Sequence, residues 1–360
     1  MNKLTVILTL RGRHLYTLRW MWHANRVGLP FHIIIADGEV HPAVERVLSN
    51  HENFPNLSYE YHRFADITFS DFYRKCSEAA AKVKTPYVMV SDNDDFLLIT
   101  GILKSISHLE QAPEYVCAGG EIPDFTVIPP PGKTSKLIGK IAKIRFGYSQ
   151  GVHNIEDMSP ADRALNMLNR YHVVYYHVFR TPALRQLFAE VESHDFTDLT
   201  IHEYFLAART ATLGKIKSCK SVIAYIRQSG TSSLSTYYKN DWVYHLLHSD
   251  LPRDSRRMAR GIADKIQYLG DQAVDKLAES FLESYAIKLR HMLSHTMIRH
   301  RFPRLFLLKC EFLRLLNFQL LPLSLRKYLS FKQFWKALSR KCADKDAIVQ
   351  YRSEIDQIIA

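Results

Sequence analysis

The chain has 360 residues, 47% of them apolar, and carries 48 Lys and Arg against 36 Asp and Glu, a net charge of +12. That length supports two domains and a sizeable core. Its five cysteines, Cys76, Cys117, Cys219, Cys310 and Cys342, form no C-x-x-C pair, which argues against a zinc site and a secreted disulfide framework and for reducing cytoplasm.

The first apolar run, Thr5–Leu10, reads as a β-branched strand. Arg11 and Arg13 interrupt it too early for the apolar core of a signal peptide, and no later stretch reaches the length that a membrane span needs. His14–Val27 places Leu15, Leu18, Met21, Trp22 and Asn25 at helical spacing. A second strand, Phe31–Ala36, ends at Asp37-Gly38; a helix over Pro42–Asn50, an edge strand Leu57–His62 and a helix over Ser70–Val83 follow. Strands that alternate with helices and read as continuous apolar runs predict an α/β fold with a doubly wound, Rossmann-like, mostly parallel sheet. Ligands of such sheets bind outside the carboxyl ends of the strands, where Arg11, Asp37 and Asp92–Asp95 would lie.

The strand starting at Tyr87 stops abruptly in Asp92-Asn93-Asp94-Asp95, three carboxylates within four positions. A packed interior does not hold that many unpartnered anions. Asp and Asn are also ordinary turn formers, but a buried strand running straight into the cluster favours a ligand site. Oxygen ligands of this kind suit a hard cation, Mg2+ or Mn2+, with Asp94, Asp92 and Asp95 as the candidate set.

These features resemble the GT-A glycosyltransferases of family 2 and their bacterial relatives that build surface polysaccharides. Asp37 stands at the base-binding position and Asp92-Asn93-Asp94 as the D-x-D motif. Arg163, Tyr175-Tyr176 and Phe179-Arg180-Thr181 are similar to the middle of that group. His202–Arg209, running to Gly214 and a strand Ser221–Arg227, is similar to its acceptor helix. Family 2 opens that helix with Glu-Asp, and counting back from Gly214 puts Glu203 on the Asp that serves as base; here the pair is His-Glu, a departure. Counting forward puts Arg227 where relatives carry a His near the metal and diphosphate. The resemblance covers roughly Lys3–Ser233. It implies a GT-A catalytic domain over 1–235 that takes a nucleotide-sugar donor and, by analogy with family 2, inverts the sugar. Residues 236–360 would form a basic, amphipathic α-helical domain.

In that chemistry a cation on Asp94, helped by Asp92 or Asp95, neutralises the diphosphate leaving group, with Arg11 and Arg227 as further donor contacts. Asp37 would meet the base and Asp92 the ribose. The acceptor hydroxyl needs a carboxylate base: Glu203, with Asp198 or Asp195 as substitutes.

Between Arg299 and Lys341 eleven Lys and Arg face one acid, Glu311, so this segment holds +10 of the net +12. Leu305, Leu308, Phe312 and Leu315 would form one helical face. Phe331, Phe334, Trp335 and Leu338 would form another behind a Ser330 N-cap, with Lys332, Lys336 and Arg340 opposite. Such helices suit an anionic membrane surface, placing the enzyme at the inner face of the cytoplasmic membrane on a lipid-linked or other glycan acceptor. They equally suit packing on the catalytic domain behind a solvated basic outside. Nucleic acid is not an expected partner, since the excess lies in a Leu-rich segment without a recognition motif.

His291 and His295 lack the Glu of a zinc motif, and His172 and His177 flank an aromatic run that reads as a core or pocket wall. Pro129–Ser135 lacks the opening Gly of a phosphate loop, and Ser229–Ser233 reads as linker or lid. Two other functions compete. A nucleotidyltransferase would carry a Gly-rich loop after the first strand, where Arg11-Gly12-Arg13 has a single Gly; a non-catalytic membrane-associated scaffold would not need an intact acidic cluster.

Overall fold

The computed structural model describes residues 3–41, 43–64, 66–129, 137, 139–146, 152–194, 196, 199–229, 250–266, 270–301 and 323–359. Strands β1 (Leu4–Leu10), β2 (His32–Asp37), β3 (Tyr59–Arg63) and β4 (Tyr87–Asp92) run parallel. β1 is buried throughout, as expected of a strand covered on both faces. The register pairs Leu10 with Asp37 and Thr9 with Asp92, so both acids end their strands at the same sheet edge.

β6 (Tyr115–Gly120), β9 (Val178–Arg180) and β10 (Lys215–Cys219) complete a sheet in the order β10-β6-β9-β4-β1-β2-β3, with β9 antiparallel between β4 and β6. The order reverses direction between β1 and β4, the switch point at which such sheets open a ligand crevice. A second sheet joins β5 (Phe96–Leu97), β11 (Tyr225–Gln228), β7 (Pro123–Ile128) and β8 (Lys140–Phe146) in the order β5-β11-β7-β8. The acidic turn 92–95 therefore links a strand of each sheet.

Helix α1 (His14–Val27) has the expected bounds. The expected helix over 42–50 is reduced to α2 (Glu45–Leu48), because the Asn50 side chain accepts from the Glu52 N–H and starts a separate short turn, His51–Asn53. α3 (Phe69–Lys82) begins at a reciprocal Thr68–Asp71 capping box. α4 (Ile99–Gln111) precedes β6; Ser159 caps α5 (Pro160–Asn169), and α6 (Thr181–His194) and α7 (Leu199–Leu213) complete this layer. Three arginines close helix ends. Arg185 donates to the carbonyls of Ala80, Ala81 and Val83 after α3, Arg180 to those of Leu109, Ala112 and Tyr115 after α4, and Arg163 to those of Ala211 and Thr212 in α7. Cations there satisfy carbonyls without intrahelical partners and complement the helix dipole. The expected strand over 221–227 shortens to β11, because Val222 turns back to bond Cys219 and leaves 221–224 outside the ladder.

Beyond residue 250, α8 (Leu251–Lys265) packs on α6 and α7, and α9 (Asp271–Arg301) on α5 and α8. α10 (Leu323–Lys341) lies on β8 and α11 (Lys345–Ile359) on α4. Ser330 is not an N-cap: it sits inside α10, where its Oγ accepts from the Ile144 N–H and donates to the Ile144 carbonyl. Phe334 and Leu338 are buried in one cluster with Phe125, Ile141, Ile144 and Tyr351, and Phe331 and Trp335 pack against it. Of the two uses open to this apolar face, it serves the packing one. Lys332, Lys336 and Arg340 stay exposed. The expected helix over 305–315, Asp195, Asp198 and residues 130–135 and 230–233 lie outside the described residues. No described helix is long and apolar enough to cross a membrane.

Candidate active site

β4 delivers Asp92 to the sheet edge, and the turn that follows brings Asp94 and Asp95 back beside it. One oxygen of each carboxylate lies within 4.8 Å of the others, forming among the described residues the group able to hold a metal ion. Three hard oxygen donors from one short turn fit Mg2+ or Mn2+.

Each acid is held by residues distant in sequence. The Tyr176 hydroxyl donates to Asp92 Oδ2 at 2.7 Å and Thr9 Oγ1 to Asp92 Oδ1 at 3.2 Å. Tyr225, stacked on Tyr176 with ring centres 4.1 Å apart, donates to Asp95 Oδ2 at 2.7 Å, and the Gln228 N–H to Asp95 Oδ1 at 2.7 Å. The Arg13 guanidinium pairs with Asp94 Oδ2 at 2.7 Å. Arg19 donates to the Asp94 carbonyl at 2.7 Å and lies over the rings of Tyr16 and Phe96. Asn93 points away from the acids and donates to Thr17 Oγ1 at 2.9 Å, tying the turn to α1.

Burial, and then the charge of Asp94, raise the Asp92 carboxyl above its ordinary value against the hydrogen bonds from Tyr176 and Thr9. Burial, and then Asp94 and Asp92, hold Asp95 well above it. The cluster lacks enough local positive charge for all three carboxylates, a condition that a bound dication would relieve.

Asp37, across the same edge, is fully buried with both oxygens engaged: Oδ2 accepts from Tyr61 at 2.6 Å and Oδ1 from the Glu39 N–H at 2.8 Å. Its neighbour Glu39 instead lines a cavity of about 240 Å3 with Leu10, Gly12, His14, His41, Ala43 and Val44. Arg11 is exposed; it reaches Asp66 at 3.5 Å and the Ile67 carbonyl at 3.1 Å. Asp66 forms a buried pair with Lys75, whose Nζ also donates to the Leu10 carbonyl at 3.1 Å. A Cβ on Gly38 would lie 2.3 Å from that of Asp66, so only glycine lets β2 end so close to this pair.

Arg227 is half-exposed and pairs with Asp124 at 2.8 Å, within electrostatic reach of Tyr176 and Asp95. In the His-Glu pair of α7, His202 is buried and stacked on Tyr73 at 4.6 Å. Glu203 is only partly buried and accepts from the Tyr171 hydroxyl at 3.5 Å. An aromatic wall runs from there to the triad: Tyr175 lies in electrostatic reach of both Tyr73 and Asp92 and meets Tyr176 edge-on. The structure thus brings together Asp92, Asp94 and Asp95. It adds Arg13, Tyr225 and Glu39, to which sequence reasoning assigned no role, and Tyr176, which the sequence marked only through the resemblance and as part of an aromatic run. The one signal for Arg13 was the glycine before it; Tyr225 and Glu39 offered none.

No family model and no curated protein matches the sequence. Among solved structures the chain is similar to S. aureus TarS residues 1–349, at 12% identity and a TM-score of 0.46, covering 99% of this chain and 88% of that one. The same protein in complex with UDP-GlcNAc gives 12% and 0.46, covering 99% and 89%. The mannosyltransferase PcManGT from Pyrobaculum calidifontis, in complex with GDP-Man and Mn2+, gives 11% and 0.40, covering 86% and 84%. Likeness at this level transfers no function, and the role of the site rests on its own geometry.

Proposed function

We propose that the chain is a metal-dependent glycosyltransferase of the GT-A type that moves a sugar from a nucleotide-sugar donor to a glycan acceptor in surface polysaccharide synthesis. The observation that carries this reading is the convergence of Asp92, Asp94 and Asp95 at the switch point of a mostly parallel sheet, beside a cavity at the ends of β1 and β2. Asp94, Asp92 and Asp95 would hold Mn2+ or Mg2+, which supplies Lewis-acid neutralisation of a departing diphosphate. Tyr176 and Tyr225 fix the orientation of the acids that face it. Arg11, Arg13 and Arg227 supply further positive charge for the donor's phosphates. The cavity takes the nucleoside, with Glu39 facing it and Asp37 holding the Glu39 backbone. Glu203 accepts the proton of the acceptor hydroxyl as that oxygen attacks the anomeric carbon, with inversion.

Catalysis belongs to residues 1–235, and 236–360 form a helical domain whose described helices pack on β8 and on α4 to α7. The exposed cations of α10 offer an anionic membrane a contact that would place a lipid-linked acceptor at the site. The decisive test is a screen of UDP- and GDP-sugars for thermal stabilisation with and without Mn2+. Stabilisation by one donor that needs Mn2+ and disappears in Asp94→Ala supports the assignment; a full screen without any metal-dependent shift overturns it.

A further inference from the structure

We propose that Arg13 is the built-in counter-cation of the acidic triad: it holds Asp94 while no divalent ion is bound, and the ion displaces it toward the donor's phosphates. The proposal rests on the reading of Asp92, Asp94 and Asp95 as a metal site. Arg13 has φ of 55°, and among the described residues it is the non-glycine with a positive value. It follows Gly12, at 63°, in the tight passage from β1 to α1. Glycine or asparagine would take that conformation more readily. An arginine there breaks the local preference, and such exceptions gather where a side chain is needed for function.

Two cations approach Asp94, and they differ in freedom. Arg19 binds the main-chain oxygen and is flanked by two rings. Arg13 binds the carboxylate that a metal would use, and its side chain is 30% exposed against 7% for Asp94. Its chain neighbours, Gly12 and His14, both line the cavity assigned to the nucleoside. A guanidinium leaving Asp94 therefore has open space on the side where the diphosphate must run between cavity and triad. A dication and a guanidinium on one carboxylate repel each other, and a planar guanidinium binds phosphate oxygens with two parallel hydrogen bonds. Arg13 thus weakens binding of the ion alone and strengthens binding of ion and phosphate together, a positive coupling between the two ligands.

The test is titration of the full chain with Mn2+, read by the electron paramagnetic resonance of free Mn2+, with and without inorganic pyrophosphate. Arg13→Gly relieves the positive φ but leaves Asp94 without its paired cation, so the fold of the variant is verified by circular dichroism and melting before titration. The variant should bind Mn2+ alone roughly tenfold more tightly, within the 5- to 150-fold span of ordinary couplings, and lose most of the enhancement that pyrophosphate confers. Arg13→Lys, which keeps the charge but not the fork, should retain part of that enhancement. Unchanged or weaker Mn2+ binding by a folded Arg13→Gly overturns the proposal while leaving the metal site standing. A wild-type chain that binds no Mn2+ even with pyrophosphate overturns both.

Discussion

Two groups of buried charge lie near one edge of the main sheet, and the protein balances them in opposite ways. Asp66 and Lys75 each expose about 1% of their side chains and neutralise one another, and Lys75 also ties down the Leu10 carbonyl. Asp92, Asp94 and Asp95 crowd three carboxylates around a single direct ion pair, Arg13 on Asp94, with Arg19 and Arg227 farther off, and two of the acids are held above their ordinary value. The first cluster is complete and fastens strand ends to α3. The second is short of positive charge, which fits it to bind a cation from outside. Buried charge alone does not separate structure from function; the state of its compensation does.

The largest expected effect is at the incomplete cluster. Asp94→Ala should abolish transfer and metal-dependent donor binding while leaving the melting temperature close to the wild type, since it removes one of three mutually repelling carboxylates and frees only the part-exposed Arg13. Full activity of the variant with excess donor and Mn2+ would put the triad in the same class as Asp66–Lys75. Glu203→Gln comes next, because Glu203 belongs to neither cluster and accepts from the Tyr171 phenol at the far end of the aromatic wall. Turnover should fall roughly 10^2- to 10^4-fold, the range of a lost general base, with donor affinity nearly unchanged. Calorimetry that finds donor binding abolished would instead make Glu203 a donor ligand.

The complete cluster should answer in stability. Lys75→Met leaves the buried Asp66 with only the distant, exposed Arg11 at 3.5 Å and should cost up to about 3–5 kcal/mol by chemical denaturation. Adding Asp66→Asn should recover much of that loss, and a Lys75→Met chain as stable as the wild type would show that the pair fastens nothing.

A smaller effect concerns His172 and His177, which both contact Ser218 Oγ at 2.9 Å and are pushed down to about 3, His172 by burial and its neighbouring histidines and His177 by burial. Folding keeps them neutral while the unfolded chain binds protons below about 6.5. Their contribution is therefore whole above that value and is lost as pH falls from about 6.5 toward 3. His172→Gln and His177→Gln variants should melt with a shallower acid limb across that window; an unchanged slope would mean that these rings do not set acid sensitivity.

Much of the main sheet was legible. β1, β2 and β4 read as continuous apolar runs because both faces are covered, and the acids that end them stand out against those runs. β5 and β9 have two and three residues, too few for a periodic signal, and β9 enters the sheet between strands far from it in sequence. Of the second sheet only the strand over 221–227 was expected, and it was not joined to a sheet; 96–97, 123–128 and 140–146 are strands only through their partners. Arg163 and Arg180, part of the resemblance to polysaccharide glycosyltransferases, bind carbonyls at helix ends, so their value there is structural. The amphipathic face of α10 was plain in the sequence, but the surface that covers it was not.

The sequence by itself determined the alternation of strands and helices, the sheet edge where the acids collect and the oxygen-rich character of the candidate metal site, because each depends on residues close together in the chain. Tertiary structure decided which charges are compensated. Arg13 meets Asp94 across 81 positions and Tyr225 meets Asp95 across 130, while Asp37 is closed off by Tyr61 and Glu39. Hydrogen bonds and ion pairs act over a few ångströms in space whatever the separation along the chain, so only the folded arrangement distinguishes an acid that is satisfied from one that still requires a cation.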